Sequence, residues 1–238
     1  MSGKSEKNVT LKVSDGTEMS AYVARPSSPG KHPGLMLFQE AFGVNAHIRD
    51  LAERFANVGY VTIAPELFHR TAPGFDGSYT DFDSTRPHLA ALTPAAVESD
   101  IQAAYNWLTG DSGTDAKRIF STGYCMGGRV SFIANSIVPV LAAASFYGGG
   151  IATANLERVP RLHAPMLFFW AGRDRNISPD AIAAVTGALR AAGKAYVNVE
   201  VSDAEHGFFN DARTAYNKAA ATEAWGLLLS FFRENGGA

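Results

Sequence analysis

The sequence predicts a doubly wound, mostly parallel α/β sheet with helices on both faces. Short apolar runs typical of strands covered on both sides alternate with longer segments of helical periodicity. Near the N-terminus, two extended runs, Val9–Val13 and Glu18–Ala24, flank the turn dipeptide Asp15-Gly16, which is typical of a β-hairpin. With 238 residues and 46% hydrophobic content, the chain is long enough for one large core, and we assign residues 1–238 to a single domain.

The first half of the chain contains the hairpin, two buried strands and two helices. We expect the hairpin at the antiparallel edge of the sheet. The segment Pro65–Pro94 is rich in Pro, Gly, Asp, Thr and aromatic residues, and segments of this length in a compact domain usually cover a binding site or are mobile. The predicted strands are Gly34–Phe38 and Tyr60–Ala64, and the predicted helices are His47–Val58 and Thr93–Leu108.

The second half alternates strand and helix without interruption. Its first strand ends at a turn of small residues, after which helical periodicity begins. Parallel sheets of this kind place their chemistry at the carboxyl ends of the strands. The predicted strands are Lys117–Thr122, Val140–Phe146, Pro165–Ala171 and Tyr196–Val201, and the later helices are Pro179–Ala192 and Tyr216–Phe232.

Composition and charge indicate a small-molecule partner, with no nucleic acid and no membrane. The formal net charge is −2 and the basic residues are scattered, so no cationic patch is predicted. No apolar run reaches the roughly 18 to 20 residues of a membrane span, and Met1–Lys7 lacks the apolar core of a signal peptide. We therefore expect a cytoplasmic protein, either a monomer or a small homo-oligomer. The single cysteine, Cys125, leaves no partner for an internal disulfide, and we expect no metal and no cofactor.

The turn after Lys117–Thr122 has the pattern of a nucleophile elbow with cysteine in the position usually held by serine. In Gly123-Tyr124-Cys125-Met126-Gly127, a strained turn between strand and helix leaves no room for side chains at the flanking glycines. The turn would expose Cys125 at the positive end of a helix, which favours a thiolate. The alternative is a chance pattern around a buried structural cysteine.

Two later strand ends carry an acid and a histidine in the order of an α/β-hydrolase triad. Asp174 follows Pro165–Ala171, and His206 follows Tyr196–Val201. Histidine can take the thiol proton while a carboxylate orients its ring. Asp174 could instead cap its own turn, and Asp203 is a rival carboxylate close to His206. The remaining histidines are predicted to be surface or packing residues, with His69 the least certain of His32, His47, His69, His88 and His163.

Glu40 lies in the loop where this architecture supplies the second donor of an oxyanion hole. A carboxylate there opposes the stabilisation of an anion unless it has a role of its own. The alternative is an exposed glutamate near the start of a helix, favoured by the helix dipole.

Six short motifs occur in order over nearly the whole chain: Glu40–Asn45, Arg70–Gly74, Gly123–Gly128, Tyr147-Gly148, Gly172–Asp174 and His206–Phe208. Together they resemble the dienelactone hydrolase (carboxymethylenebutenolidase) family of the α/β-hydrolase superfamily. The resemblance implies the α/β-hydrolase fold. It also implies a triad of Cys125, Asp174 and His206, with Glu40 contacting the resting thiol and helping to deprotonate it.

The resemblance also implies the groups around the reacting carbonyl. Backbone N–H groups of Ala41 and Met126 would form the oxyanion hole, and Tyr147 and Phe42 would lie among the substrate-binding residues. In the family, an arginine in the segment that matches Arg70 helps to hold a substrate carboxylate.

The family's other carboxylate-binding arginine lies four residues after the catalytic histidine, and this chain has Asn210 there. Arg213 is close enough in sequence to replace it. We therefore expect a hydrolase of a small lactone or ester, with dienelactone converted to maleylacetate as the first candidate reaction. The alternatives are a general small-ester hydrolase and a non-catalytic small-molecule-binding protein. A thiol redox role lacks a resolving cysteine.

Overall fold

The computed structural model describes residues 7–236 and confirms the predicted α/β fold. Eight strands form a mixed sheet with helices on both faces. We predict no signal peptide in Met1–Lys7, and the first six residues of that segment lie outside the described residues. By its internal contacts the chain divides between Lys117 and Arg118 into two compact units. The assignment of one domain to residues 1–238 stays a prediction.

The first unit contains the predicted antiparallel hairpin. Its turn uses Gly16 at a φ of 87°, and the Asp15 carboxylate accepts the backbone N–H of Thr17 at 3.0 Å. The second hairpin strand is also antiparallel to β4, whereas β3 and β4 are parallel, giving the order β1-β2-β4-β3 within this unit. The bounds are β1 (Asn8–Lys12), β2 (Glu18–Ala24), β3 (His32–Phe38) and β4 (Val61–Pro65).

Three helices belong to the first unit, and two of them begin at side-chain caps. Asn45 accepts the N–H of Ile48, and Thr93 accepts the N–H of Ala96. The third helix lies in the segment Pro65–Pro94, where the sequence indicates no regular structure. This six-residue helix has no buried residue and therefore no apolar stripe to predict it from. The bounds are α1 (Ala46–Asn57), α2 (Arg86–Ala91) and α3 (Pro94–Gly110), with a 3₁₀ turn at Asp83–Thr85.

The second unit contains parallel strands paired in chain order, β5-β6-β7-β8. β5 begins before the boundary between the units and is longer than predicted at both ends. The bounds are β5 (Thr114–Tyr124), β6 (Ala142–Phe146), β7 (Met166–Ala171) and β8 (Tyr196–Val201). The helices of this unit are α4 (Met126–Ile137), α5 (Ile151–Ala154), α6 (Pro179–Ala191) and α7 (Lys218–Asn235), with a 3₁₀ helix at Leu156–Arg161.

Aromatic side chains form a ladder below the carboxyl ends of three neighbouring strands. The register places Tyr124, Phe146 and Phe169 side by side on β5, β6 and β7. Phe146 stacks on Tyr124 at 4.5 Å and on Phe169 at 4.3 Å between ring centroids. Such pairs each contribute about 0.5–1.5 kcal/mol beyond their buried area. The ladder fixes the strand ends from which Cys125 and Tyr147 project.

Candidate active site

Cys125 occupies a strained turn between β5 and α4, as predicted for a nucleophile elbow. Its φ of 56° and ψ of −119° are rare for a residue with a side chain. Its N–H donates to the Phe146 carbonyl at 3.0 Å, which helps to hold the turn. A Cβ at Gly123 would overlap the Gly127 carbonyl, so this glycine is required by space. The thiol is only partly buried, which argues against an inert structural cysteine.

Asp174 and His206 meet at the carboxyl ends of β7 and β8. The His206 Nδ1 lies 2.6 Å from Asp174 Oδ2, and the Asp174 side chain is 1% exposed. The other carboxylate oxygen accepts the N–H of Asn176 at 2.8 Å, so Asp174 also caps its own turn. Asp174 therefore caps its own turn and contacts His206, and its catalytic role stays a prediction. The rival carboxylate, Asp203, is exposed to solvent.

His206 is hydrogen-bonded to Cys125 as well as to Asp174. Burial lowers the pKa of His206, but the hydrogen bonds to Asp174 and Cys125 outweigh burial and raise that pKa to about 10. The arrangement therefore favours a protonated imidazolium at neutral pH. A thiolate beside an imidazolium is the reactive form of a cysteine nucleophile.

Tyr147 follows the end of β6 and lies beside the histidine. It is fully buried at a φ of 39°, a value uncommon for a non-glycine residue. Its ring centroid is 5.0 Å from that of His206 and 5.4 Å from that of Phe208. Tyr147 thus helps to fix the position of the imidazole ring. Its predicted contact with substrate stays a prediction.

Met126 and Ala41 are the predicted oxyanion donors, and they lie in different units. Met126 is the first residue of α4, and the first four N–H groups of a helix have no acceptor within the helix. Ala41 lies in the loop between β3 and α1 and is buried. The oxyanion hole formed by these two residues stays a prediction.

Glu40 is buried in the same loop as Ala41, with 1% of its surface exposed. The alternative of an exposed glutamate at a helix start is therefore wrong. The neighbouring Phe42 is also buried, and its ring centroid lies 4.8 Å from that of Tyr79. Asn45, at the end of this loop, donates to the Tyr79 hydroxyl at 2.8 Å. The segment after β4 thus holds the Glu40 loop in place.

Arg70 binds two carboxylates of its own unit. Its Nη1 and Nη2 donate to Asp100 at 2.9 and 2.8 Å, and its Nε donates to Asp15 at 2.7 Å. Asp100 is fully buried, and burial raises its pKa although the hydrogen bonds from Arg70 oppose this shift. A guanidinium engaged in this way is poorly suited to hold a substrate carboxylate. The substrate-binding role implied by the resemblance stays a prediction, and this geometry opposes it.

Asn210 and Arg213 lie in the loop that follows His206. The Asn210 side chain is fully buried and accepts the N–H of Ala212 at 3.0 Å. The Arg213 guanidinium packs against Gly207, where it fills the space that a Cβ would need. Arg213 is therefore directed toward the histidine loop. Contact of either residue with substrate stays a prediction.

Arg129, on α4, is a charged residue near the site that no sequence motif indicated. Its guanidinium is desolvated and lies within the electrostatic influence of Cys125. Its spacing from the nucleophile carries no signal, because Cys125 has a non-helical backbone and the neighbour rule for i and i+4 holds only within a helix.

Two of the other histidines have polar partners outside the triad. The His69 ring lies 3.0 Å from the Thr17 hydroxyl and 3.1 Å from the Glu66 carbonyl, and His88 lies 3.0 Å from Thr71. Residues 7–236 contain no group of His, Cys, Asp and Glu side chains that could hold a metal ion. Across the same residues, every helix is too short or too polar to span a bilayer.

Comparison with known proteins gives the family. The model of the dienelactone hydrolase family matches residues 19–236. A Salmonella typhi protein named "Putative carboxymethylenebutenolidase" is 34% identical over 245 residues, covering 99% of this chain and 90% of the relative. A protein of the same name from Escherichia coli K12 is 35% identical over 234 residues, covering 94% of this chain and 85% of the relative.

A solved structure agrees with these relatives. The crystal structure of a "Putative Dienelactone Hydrolase" from Klebsiella pneumoniae subsp. pneumoniae MGH 78578 superposes with a TM-score of 0.87 at 32% identity. The match covers 94% of this chain and 96% of that one. The chain therefore belongs to the dienelactone hydrolase family, a family of hydrolases.

Proposed function

We propose that the protein hydrolyses a small lactone or carboxylic ester through an acyl-thioester on Cys125. The observation that carries the proposal is the hydrogen-bonded series Cys125, His206 and Asp174, with 2.6 Å between the last two side chains. The three residues project from the carboxyl ends of β5, β8 and β7, where parallel sheets place their chemistry.

Acylation begins with the thiolate of Cys125 beside the imidazolium of His206. The sulfur attacks the substrate carbonyl carbon, and the carbonyl π electrons move to oxygen. When the tetrahedral intermediate collapses, the bond to the alcohol oxygen breaks and His206 gives its proton to that oxygen. For a lactone the alcohol stays tethered to the acyl group.

Deacylation reverses the part played by His206. The neutral imidazole takes a proton from water as the water oxygen attacks the thioester carbonyl. The carbon–sulfur bond then breaks, which restores the thiolate and releases the acid. Asp174 keeps the Nδ1 position protonated throughout, so that Nε2 faces the reacting groups.

Two further assignments complete the mechanism. The N–H groups of Met126 and Ala41 stabilise the oxyanion, and the removal of one such donor typically costs about 100- to 1,000-fold in rate. Before acylation, Glu40 contacts the resting thiol and helps to pass its proton to His206, which forms the thiolate and imidazolium pair. The burial of Glu40 supports this role, because a buried carboxylate near an anion site is costly unless it has a proton or a partner.

The first candidate substrate is dienelactone, converted to maleylacetate, because relatives that match nearly the whole chain carry the name carboxymethylenebutenolidase. The leaving group of such an enol lactone is a stabilised enolate, which a thiolate can expel. A general small-ester hydrolase is the alternative, since Arg70 is engaged by Asp15 and Asp100. A non-catalytic binding protein is disfavoured by the aligned triad.

The deciding experiment compares the turnover of cis- and trans-dienelactone with that of a panel of aryl esters. A kcat/KM for either lactone at least tenfold above that for every aryl ester supports the first candidate. Equal or faster turnover of the aryl esters supports the general esterase. No turnover of any of them by the wild-type enzyme, with Cys125 fully reduced, contradicts the proposed function.

A further inference from the structure

The strand β8 has one edge that pairs with no other strand of residues 7–236. Its single neighbour is β7, which runs parallel to it. The carbonyls of Ala195 and Val201 accept N–H groups from β7 and from the residue after it, at 3.1 and 2.8 Å. In a parallel pair, the backbone groups of alternate residues face the same neighbour. The N–H and C=O groups of Tyr196, Asn198 and Glu200 therefore point away from β7.

The outer edge of β8 lacks the features that usually keep strand edges from pairing with another chain. These features are lysine and proline residues, β-bulges and a covering element. The first strand of the sheet, β1, has Lys7 just before it and an exposed Lys12 at its end. By contrast, the six residues of β8, Tyr196–Val201, include no Lys, Arg, Pro or Gly. Most of this strand is at least partly exposed, so its edge is available to a second strand.

The sequence of β8 is complementary to itself when two copies run antiparallel with their Asn198 residues opposite each other. Tyr196 then lies opposite Glu200 of the second copy, and opposite residues at these outward positions exchange two backbone hydrogen bonds. On the other face of the strand, Val197 lies opposite Val199 of the second copy in a close pair without hydrogen bonds. This pair would cover Val197, which is 39% exposed in the single chain.

The charges beside this edge are complementary in the same register. Arg190, at the end of α6, donates from Nη2 to the Tyr196 hydroxyl at 3.4 Å. Glu200 lies on the same face of β8 but about 13 Å further along the strand, out of reach of Arg190 in its own chain. Within residues 7–236, no ion pair engages either side chain. In the antiparallel pair, Glu200 of the second copy faces Tyr196 and lies beside Arg190, and the two-fold symmetry repeats this contact.

We propose that two copies of this chain form a homodimer by pairing the outer edges of β8 around a two-fold axis at Asn198. Such a contact closes on itself and leaves no open edge on this strand. Trp170 Nε1 donates to Asn198 Oδ1 at 2.6 Å, which fixes the side chain at the axis. The loop after β8 carries His206, so the dimer contact steadies the strand from which the catalytic histidine is held. The inference does not depend on the proposed reaction.

The test measures the mass of the full chain by sedimentation velocity from about 1 to 200 μM, with charge-reversed variants. Glu200→Lys and Arg190→Glu each turn an attraction into a repulsion, twice per dimer. We expect each to raise the dimer Kd at least about tenfold and the double variant to return it to within about threefold of wild type. The control Asp50→Lys makes the same change of charge at an exposed position on α1 and should leave the Kd unchanged. A wild type that stays monomeric throughout, or a dimer that neither single variant weakens, overturns the proposal.

Hydrogen exchange of the wild type locates the contact without any variant. The amide protons of Tyr196, Asn198 and Glu200 should exchange at least about tenfold more slowly where the dimer dominates than in dilute solution. Those of Val197 and Val199 face β7 and should change less, which makes them internal controls. Unchanged exchange at the three outward amides, with protection on another surface, means that the copies meet elsewhere and the proposal is wrong.

Discussion

Replacement of Asp174 by asparagine should disable the histidine without disturbing the turn that it caps. In the wild type one carboxylate oxygen accepts from Asn176 at 2.8 Å, and the other lies 2.6 Å from His206 Nδ1. Asparagine has only one oxygen, which the Asn176 N–H will retain, so its NH₂ group must face Nδ1. An NH₂ group cannot accept from a protonated Nδ1, and the ring proton therefore moves to Nε2.

With its proton on Nε2, the neutral ring cannot accept a proton from the attacking water or from the thiol. Loss of the charged hydrogen bond alone costs about 1.5–3 kcal/mol, or about one to two decades in rate. The wrong tautomer adds to this loss, and the same change costs about four decades in Ser-His-Asp enzymes. Because a thiol ionises more readily than a serine hydroxyl, we expect kcat to fall by about two to three decades.

The assay is kcat for an aryl ester, with the His206 ring titrated by NMR in the same samples. The pKa of His206, about 10 in the wild type, should fall in Asp174→Asn because the partner that raises it is lost. Asp203→Asn is the matched control, since that exposed carboxylate lies three residues before His206. A loss of less than about tenfold in Asp174→Asn, or a larger loss in Asp203→Asn, would refute the assignment of Asp174.

Three further predictions concern the nucleophile, the buried glutamate and the engaged arginine. Cys125→Ala should lower kcat by more than about 1,000-fold with an unchanged circular dichroism spectrum, and residual activity above that level would show that another nucleophile acts. Glu40→Gln should slow acylation more than deacylation in rapid-quench kinetics, and a change in deacylation alone would rule out its proposed role. Arg70→Ala should lower the free energy of unfolding in urea by about 3–5 kcal/mol, because Asp100 would stay buried without its partner. Asp100→Asn added to Arg70→Ala should restore part of that stability. If Arg70→Ala instead keeps wild-type stability and loses only the preference for acidic substrates, Arg70 binds substrate and the structural role proposed for it is wrong.

The elements that carry a strong local signal were predictable from the sequence. The helix predicted at His47–Val58 is observed at Ala46–Asn57, because its apolar residues are periodic and Asn45 caps its start. The position of the elbow, Asp174 and His206 at the carboxyl ends of strands was predictable, because each follows an apolar run typical of a strand and parallel sheets place their chemistry at those ends. The helix Arg86–Ala91 was missed because it buries no residue and shows no periodicity.

Contacts between residues far apart in sequence could not be predicted. The partner of Arg70 is Asp100, which lies 30 residues later on α3, and no local pattern distinguishes this carboxylate from an exposed one. The space that Gly150 leaves for the Arg129 guanidinium depends on how the β6 loop returns toward α4. The sequence therefore predicts which residues carry chemistry better than it predicts which of them are already engaged.

The acyl-thioester can be observed directly by acid-quenching the enzyme during turnover of an aryl ester that deacylates slowly. Intact-protein mass spectrometry should show one added acyl group, and peptide mapping should place it on Cys125. The adduct should be lost on treatment with neutral hydroxylamine, which cleaves thioesters, and should be absent from Cys125→Ala. An acyl group on any other residue would contradict covalent catalysis by Cys125. So would the absence of any adduct when the burst of alcohol product equals the number of active sites, because such a burst requires the acyl group to stay on the enzyme if catalysis is covalent.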